Sequence, residues 1–139
     1  MEDNKARYQR FMDEVVNKGN FGVFDELVSN DFVDHTPRGG VDATREGFRQ
    51  TLVGFREAFP DLNSQVELYI AEGDKVAAVH RTTGTHQGEL MGMPPTGQAF
   101  EITEVHVVRV VEGKAVEHWS ASDDVGMLTQ LGLLPVSAG

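Results

Sequence analysis

The spacing of apolar residues along this chain changes once, near residue 63, from a helical period to a period of two. Before that point, apolar side chains recur every three or four residues in three stretches, at residues 8–16, 21–28 and 48–59. This spacing predicts three amphipathic helices, the second of them short. Gly19 ends the first helix, and Pro60 closes the third. Residues 31–40 contain a proline and two glycines, and we expect a loop there.

From residue 63 onward, apolar and polar residues alternate, which is typical of half-buried strands. One strand is predicted around residues 66–70, and three more at residues 76–86, 99–111 and 115–122. A last short helix is capped by an aspartate at 123 or 124 and stopped by Gly132. Helices followed by strands with short connections predict an α+β fold in one domain, residues 1–139, with a curved antiparallel β-sheet wrapped around the N-terminal helices. Such a cone leaves a deep pocket, a usual place for a small-molecule site.

The pairing of the last two predicted strands depends on the loop between them. A three-residue loop, Glu112 to Lys114, places His106 opposite Ser120, whereas a two-residue loop places His106 opposite Trp119. A slip of one residue turns every side chain to the other face of the sheet. Local spacing leaves both registers open.

The amino-acid composition limits the classes of molecule that the chain is expected to bind. The chain has 12 basic and 22 acidic residues, a net charge of -10, and no cysteine. An acidic chain without a basic patch does not favour nucleic acid. No apolar run is long enough to cross a membrane, and the polar N-terminus is not a secretory signal, so a cytoplasmic location is expected. The expected partner is a small neutral or weakly acidic molecule or a second copy of the chain.

The candidate chemistry is acid/base chemistry on the predicted sheet. His80 lies in the second strand, and Glu104 and His106 share a face of the third. Histidine titrates near neutral pH and can take or give a proton, although a single strand histidine is more often structural. A metal site is not expected, because His80 and His86 are about 20 Å apart along one strand.

Three further residues allow a structural and a functional interpretation. Trp119 can pack in the core or form part of a pocket wall. Asp123 can cap the last helix or act as a proton carrier, with both interpretations equally open. His35 follows an aromatic and acidic stretch before the predicted loop.

Several motifs then match a known family. They are GTHxGxxMGMPPTG at 84–97, VHVVRVVEGK at 105–114, EHW at 117–119 and GMLTQLG at 126–132. Together with DFVDH at 31–35, they resemble the SnoaL-like polyketide cyclase (ester cyclase) family of the NTF2-like superfamily. The resemblance covers nearly the whole chain.

The resemblance implies an NTF2-like cone whose pocket holds a polyketide ester and closes its last ring by intramolecular aldol condensation, in secondary metabolism. It implies a small hydrophobic, carbonyl-containing ligand, no metal or organic cofactor, and pairing of the sheets into a homodimer or higher oligomer. The family's strand histidine matches His106, and its acid/base aspartate matches Ser120. Because those two family residues converge on one pocket, the resemblance favours the register with His106 opposite Ser120.

Because Ser120 stands where the family has its acid/base aspartate, three hypotheses for the function of the chain remain. The first is a cyclase, isomerase or hydrolase acting on an enolisable carbonyl compound, with His106 as catalytic acid or base and Asp123 or His35 in place of the missing carboxylate. His35, His80, Glu104, Trp119 and Ser120 are then expected to line the pocket. The alternatives are a ligand-binding or regulatory module without catalysis, and an assembly role as a homo-oligomer.

Overall fold

The computed structural model describes residues 3–134. Helix α1 spans Asn4–Phe11 and continues as a π-helical turn, Met12–Val16. The elements that follow, in chain order, are α2 (Phe21–Leu27), β1 (Val28–Asp34), α3 (Arg45–Ala58), β2 (Asn63–Glu72), β3 (Lys75–Thr85), β4 (Ala99–Val111), β5 (Lys114–Ser122) and α4 (Asp124–Gln130). The α+β fold with N-terminal helices on a curved sheet is confirmed.

Side-chain caps set where two of the helices begin. The Asp3 side chain accepts a hydrogen bond from the Lys5 amide at 2.8 Å, and the Thr44 hydroxyl accepts one from the Gly47 amide at 3.2 Å. These bonds satisfy amides that have no partner inside the helix. The cap at Thr44 directs α3 across the concave face of the sheet, where it covers the cavity described below.

The five strands form one mixed sheet in the order β1-β5-β4-β3-β2. Strands β2 to β5 pair antiparallel, whereas β1 pairs parallel to β5, with Asp34 opposite His118. The predicted antiparallel sheet comprises β2 to β5, whereas the parallel strand β1 was not predicted, and the expectation of a loop at residues 31–34 is wrong. Strand β1 buries Val28 and Phe32, which are separated by three polar residues, so its sequence does not show the alternation typical of a strand. Its partner strand, β5, lies more than eighty residues away in the sequence.

The β4–β5 hairpin places His106 opposite Ser120, and this register is confirmed. The expected three-residue loop is wrong. Val111 pairs with Lys114 across a two-residue turn, in which Glu112 has φ 50° and Gly113 has φ 77°. A bulge between Arg109 and Val110 then inserts one extra residue on β5 and restores the register.

The core lies between the helices and the concave face of the sheet. One buried cluster includes Met12, Phe59 and Phe100, and a second lies under β1 and includes Phe24 and Phe32. Across residues 3–134, none of the helices is long and apolar enough to cross a membrane.

Candidate active site

A cavity of about 150 Å³ lies between α1, α3 and the concave face of the sheet. Its upper walls are apolar, with Phe11, Phe48 and Ile102 among the lining residues. A wider mouth of about 720 Å³ adjoins it, and Arg38 and Ser120 line both spaces. The site is therefore a narrow inner chamber beneath an open vestibule.

The floor of the inner cavity carries a row of polar side chains from three adjacent strands. His80 on β3 lies opposite Glu104 on β4, and His106 on β4 lies opposite Ser120 on β5. The ring centroids of His80 and His106 are 4.8 Å apart, and those of His106 and His118 are 5.1 Å apart. Because alternate residues of a strand point to one face, the sheet register alone brings these groups together.

Asp34 and His118 form a buried pair at one end of this row. Asp34 is 4% exposed and His118 is 6% exposed, and His118 Nδ1 lies 3.1 Å from Asp34 Oδ1. Burial alone would raise the pKa of Asp34, but hydrogen bonds from His118 and Thr36 outweigh it and leave that pKa below its ordinary value. Burial lowers the pKa of His118, although the neighbouring Asp34 opposes this effect. The pair is therefore a neutral imidazole bound to a carboxylate.

This pair orients His106. His106 Nδ1 lies 2.9 Å from His118 Nε2. Because an ionised carboxylate only accepts hydrogen bonds, His118 Nδ1 carries the proton that faces Asp34, and His118 Nε2 is an acceptor. His106 Nδ1 must then be the donor. In neutral His106, Nε2 is consequently the nitrogen without a proton.

Glu104 is the second carboxylate of the floor and faces this open nitrogen. Its Oε2 lies 3.7 Å from His106 Nε2 and 3.6 Å from Arg38 Nη1, and accepts a hydrogen bond from the Ser122 hydroxyl at 2.8 Å. Thr82 donates to its Oε1 at 2.5 Å. Burial alone would raise the pKa of Glu104, but its hydrogen bonds and the charge of His106 hold that pKa well below its ordinary value.

A hydrogen-bonded chain leads from Glu104 to the opposite end of the floor. Thr82 Oγ1 lies 2.8 Å from Ser64 Oγ, which lies 2.9 Å from His80 Nδ1. His80 Nε2 lies 2.5 Å from the hydroxyl of Tyr8. Burial lowers the pKa of His80 to about 4 and raises that of Tyr8 well above its ordinary value, so both side chains are neutral near pH 7.

The structure brings together four of the seven residues singled out from the sequence. His80, Glu104, His106 and Ser120 line the inner cavity. Ser120 is bonded through its hydroxyl to Thr36 at 3.1 Å.

The other three lie elsewhere, contrary to the expectation that they take part in the pocket. His35 and Trp119 stack on each other with centroids 4.7 Å apart, and neither lines either space. Trp119 alternates with His118 and Ser120 along β5, so it points to the other face of the sheet. Asp123 caps α4 by accepting a hydrogen bond from the Gly126 amide at 2.9 Å, which is the structural one of its two interpretations.

Sequence reasoning missed Asp34, His118 and Tyr8. His118 carried a usable signal, because it shares strand parity with Ser120, the residue opposite His106. Asp34 carried only its place in the DFVDH motif at 31–35, since its strand was not recognised. Within residues 3–134, no group of three or more histidine and acidic side chains has an arrangement that could hold a metal ion.

Comparison with known proteins gives a consistent picture. The family model of the SnoaL-like polyketide cyclases matches residues 6–131. The nogalonic acid methyl ester cyclase of Streptomyces nogalater is 34% identical over 118 residues, which are 84% of this chain and 88% of that protein.

Solved structures agree with this match. IdmH of Streptomyces antibioticus, a candidate polyketide cyclase, has a TM-score of 0.83 and 34% identity, over 94% of this chain and 99% of its own. AclR of Streptomyces galilaeus, a candidate hydroxylase, has a TM-score of 0.83 and 33% identity, over 95% of this chain and 86% of its own.

The buried histidines make stability depend on pH in a defined direction. Because the pKa of His80 is about 4 in the folded chain and 6.5 ordinarily, the unfolded chain binds a proton over this range that the folded chain does not. Stability is therefore highest above about pH 6.5 and falls as pH drops toward 4, by on the order of 3 kcal/mol from His80 alone. Urea denaturation from pH 4.5 to 7 measures this fall. His80→Gln should make it shallower, and an unchanged fall in that variant would contradict the assignment.

Proposed function

The chain belongs to the SnoaL-like polyketide cyclase family, and we propose that it closes a carbon ring in an enolisable, polyketide-type ester by acid/base catalysis without a cofactor. Intramolecular aldol closure removes a proton from a carbon beside a carbonyl group and gives a proton to the new alkoxide. Such a reaction needs one group that exchanges protons and a cavity that holds both ends of the substrate together.

His106 is the group that exchanges these protons. Its Nδ1 is engaged by His118, whereas its Nε2 is open and lies in the cavity floor. When Nε2 takes a proton, the imidazolium faces Glu104 at 3.7 Å and remains bonded to the His118–Asp34 pair. The proton thus arrives at a nitrogen that faces a carboxylate, an arrangement suited to a general base. This arrangement is the observation that carries the proposal.

Glu104 supplies the carboxylate that Ser120 does not. A serine hydroxyl is a poor base unless another group activates it, and the Ser120 hydroxyl contacts only the hydroxyl of Thr36 among the described side chains. Glu104 lies on the same strand face as His106 and is ionised. Asp123 and His35 do not reach the cavity, so neither replaces the family's aspartate.

The two spaces indicate how the substrate lies. A chamber of about 150 Å³ accepts only the reacting end of a polyketide, and the vestibule of about 720 Å³ accepts the remainder. The apolar upper walls suit aromatic rings, and the polar floor meets the reacting carbonyl groups. The relative from Streptomyces nogalater carries the name of a methyl ester cyclase, so nogalonic acid methyl ester is the first probe.

Replacing His106 tests the proposal. We expect His106→Ala to lower kcat for ring closure of nogalonic acid methyl ester by about 100-fold or more, because general acid/base groups contribute at least that much. His35→Ala is the matched control, since His35 stacks on Trp119 outside the cavity. Product formation is followed by chromatography, with thermal unfolding to check the fold of each variant. Full turnover by His106→Ala would contradict the proposed role.

The same assay separates the alternative functions. A hydroxylase, the class suggested by the likeness to AclR, consumes molecular oxygen, whereas aldol closure does not. Oxygen uptake that matches product formation would favour hydroxylation. A binding module would hold the ester without turnover, and His106→Ala would leave its ligand affinity unchanged.

We also propose that the chain forms a homodimer through the outer face of its sheet. Leu68, Ile70 and Val105 point away from the helices and are 52%, 61% and 41% exposed. Exposed apolar patches of this kind often mark an interface between proteins. Light scattering at micromolar concentration should give twice the chain mass, and Ile70→Lys should shift it toward the monomer. A monomer in the unmodified chain would contradict this proposal.

A further inference from the structure

The cavity floor contains a second route for protons, which leads away from His106. We call it the relay chain and define it as the hydrogen-bonded series formed by Tyr8, His80, Ser64, Thr82 and Glu104. Its inner links are buried: Ser64, His80 and Thr82 are 3%, 1% and 5% exposed. The function proposed above uses only its Glu104 end. The inference that follows rests on that proposed function.

The direction of every hydrogen bond in the relay chain follows from the charge of Glu104. Because a carboxylate only accepts, Thr82 donates its single hydroxyl proton to Glu104. Thr82 must then accept from Ser64, and Ser64, having used its own proton, must accept from the other side.

The charge of Glu104 also fixes the direction of the last two hydrogen bonds, which join Ser64 to His80 and His80 to Tyr8 on the N-terminal helix. His80 donates to Ser64 through Nδ1–H, so the Nε2 of neutral His80 is an acceptor, and Tyr8 donates its phenolic proton to it. All donors thus point from Tyr8 toward Glu104. A chain with this polarity can pass protons in one direction by a concerted shift, each group giving its proton as it receives another.

Tyr8 is the end of the relay chain that a substrate can reach, because it borders the cavity. It is one of the lining residues of the inner chamber, on the far side of His80 from His106. With its proton committed to His80, the phenolic oxygen is left with lone pairs only. Such an oxygen can accept a proton from a bound substrate as its own proton departs.

We propose that Tyr8 is a second proton-exchange point of this site: it receives the α-proton of the substrate, and His106 acts as the base through the relay chain rather than by direct contact with that proton. The α-carbon–hydrogen bond breaks, its electron pair forms the enolate, and the proton binds the oxygen of Tyr8. The original proton of Tyr8 moves to Nε2 of His80, and the Nδ1 proton of His80 moves to Ser64.

The shift ends at His106. The proton of Ser64 moves to Thr82, and that of Thr82 moves to Oε1 of Glu104. Rotation of the Glu104 carboxyl group then turns this proton toward the open Nε2 of His106, which lies 3.7 Å from the other oxygen, Oε2, and takes it. The enolate carbon then attacks the second carbonyl group, a carbon–carbon bond forms, and the alkoxide takes the proton from His106. The substrate loses one proton and regains one, and every protein group returns to its original charge. Rotation of the hydroxyl groups, and exchange of the His80 proton from Nε2 back to Nδ1 through water that enters the cavity after product release, restore the starting orientation.

Two variants test whether Tyr8 and His106 are coupled through the relay chain. Tyr8→Phe removes the exchanging oxygen, and Thr82→Val removes an inner link while keeping the side-chain shape. We expect each to lower kcat for nogalonic acid methyl ester by about 10- to 100-fold with KM changed by less than about twofold. The second readout is the dependence of the rate on the fraction of D2O. Several protons moving together give a curved dependence, which should become linear in both variants.

Two controls match these substitutions. Tyr69→Phe makes the same change in a ring that packs edge-on against Tyr8 at 5.8 Å but lies outside the relay chain. Ser122→Ala removes a different hydroxyl donor from Glu104 and leaves the relay chain intact. Both controls should keep the curved dependence. Its persistence in Tyr8→Phe or Thr82→Val, together with an unchanged kcat, would overturn the inference.

Exchange of the substrate's α-proton into D2O, followed by proton NMR, separates this inference from the proposed function. Exchange that is lost in Tyr8→Phe, in a protein that closes no ring, would support the relay chain and contradict only the cyclase proposal. Where the unmodified protein does neither, the nitrogen-15 spectrum of His80 decides. A proton on Nδ1 at pH 7 supports the relay chain, and a proton on Nε2 overturns it.

Discussion

The site depends on one constraint, which is that two ionised carboxylates of the cavity floor can only accept hydrogen bonds. Asp34 and Glu104 lie at separate points of the cavity floor, and each is held ionised by the donors around it. Each group that hydrogen-bonds to them must therefore turn a proton toward them, whereas His106 Nε2, at 3.7 Å from Glu104 Oε2, lies beyond hydrogen-bond distance. This requirement sets the tautomers of His118 and His106, and it leaves a single open nitrogen on His106. The reactivity of the site thus follows from the charge state of groups that need not touch the substrate.

Two features of the sheet place these carboxylates and the histidines beside them. The parallel addition of β1 beside β5 places Asp34 opposite His118. The bulge in the β4–β5 hairpin restores the register that puts His106 opposite Ser120. Without the bulge, His118 and Ser120 would face the outer surface, because a shift of one residue reverses a strand. Apolar residues of the helices cover much of the floor, which lowers its contact with water and strengthens each polar contact within it.

Much of this arrangement could be predicted from the sequence, and the failures have physical causes. The period of two identified four strands, and strand parity placed His80, Glu104 and His106 on the cavity side. Strand β1 was missed because its pairing depends on residues more than eighty positions away. Asp34, which lies on this strand, was therefore missed as well, and the sequence pointed to Asp123 or His35 as the replacement for the missing carboxylate. The stacking of His35 on Trp119 depends on the same unseen strand, since His35 follows it directly.

The two carboxylates, Asp34 and Glu104, determine which nitrogens of the histidines in the cavity floor carry protons. Nitrogen-15 NMR of histidine side chains at pH 7 tests this most directly, because the shifts of Nδ1 and Nε2 show which nitrogen carries the proton. The account predicts that His118 carries its proton on Nδ1 and that neutral His106 does the same, leaving Nε2 open. A proton on Nε2 of His118 would break the link to Asp34 and contradict the account.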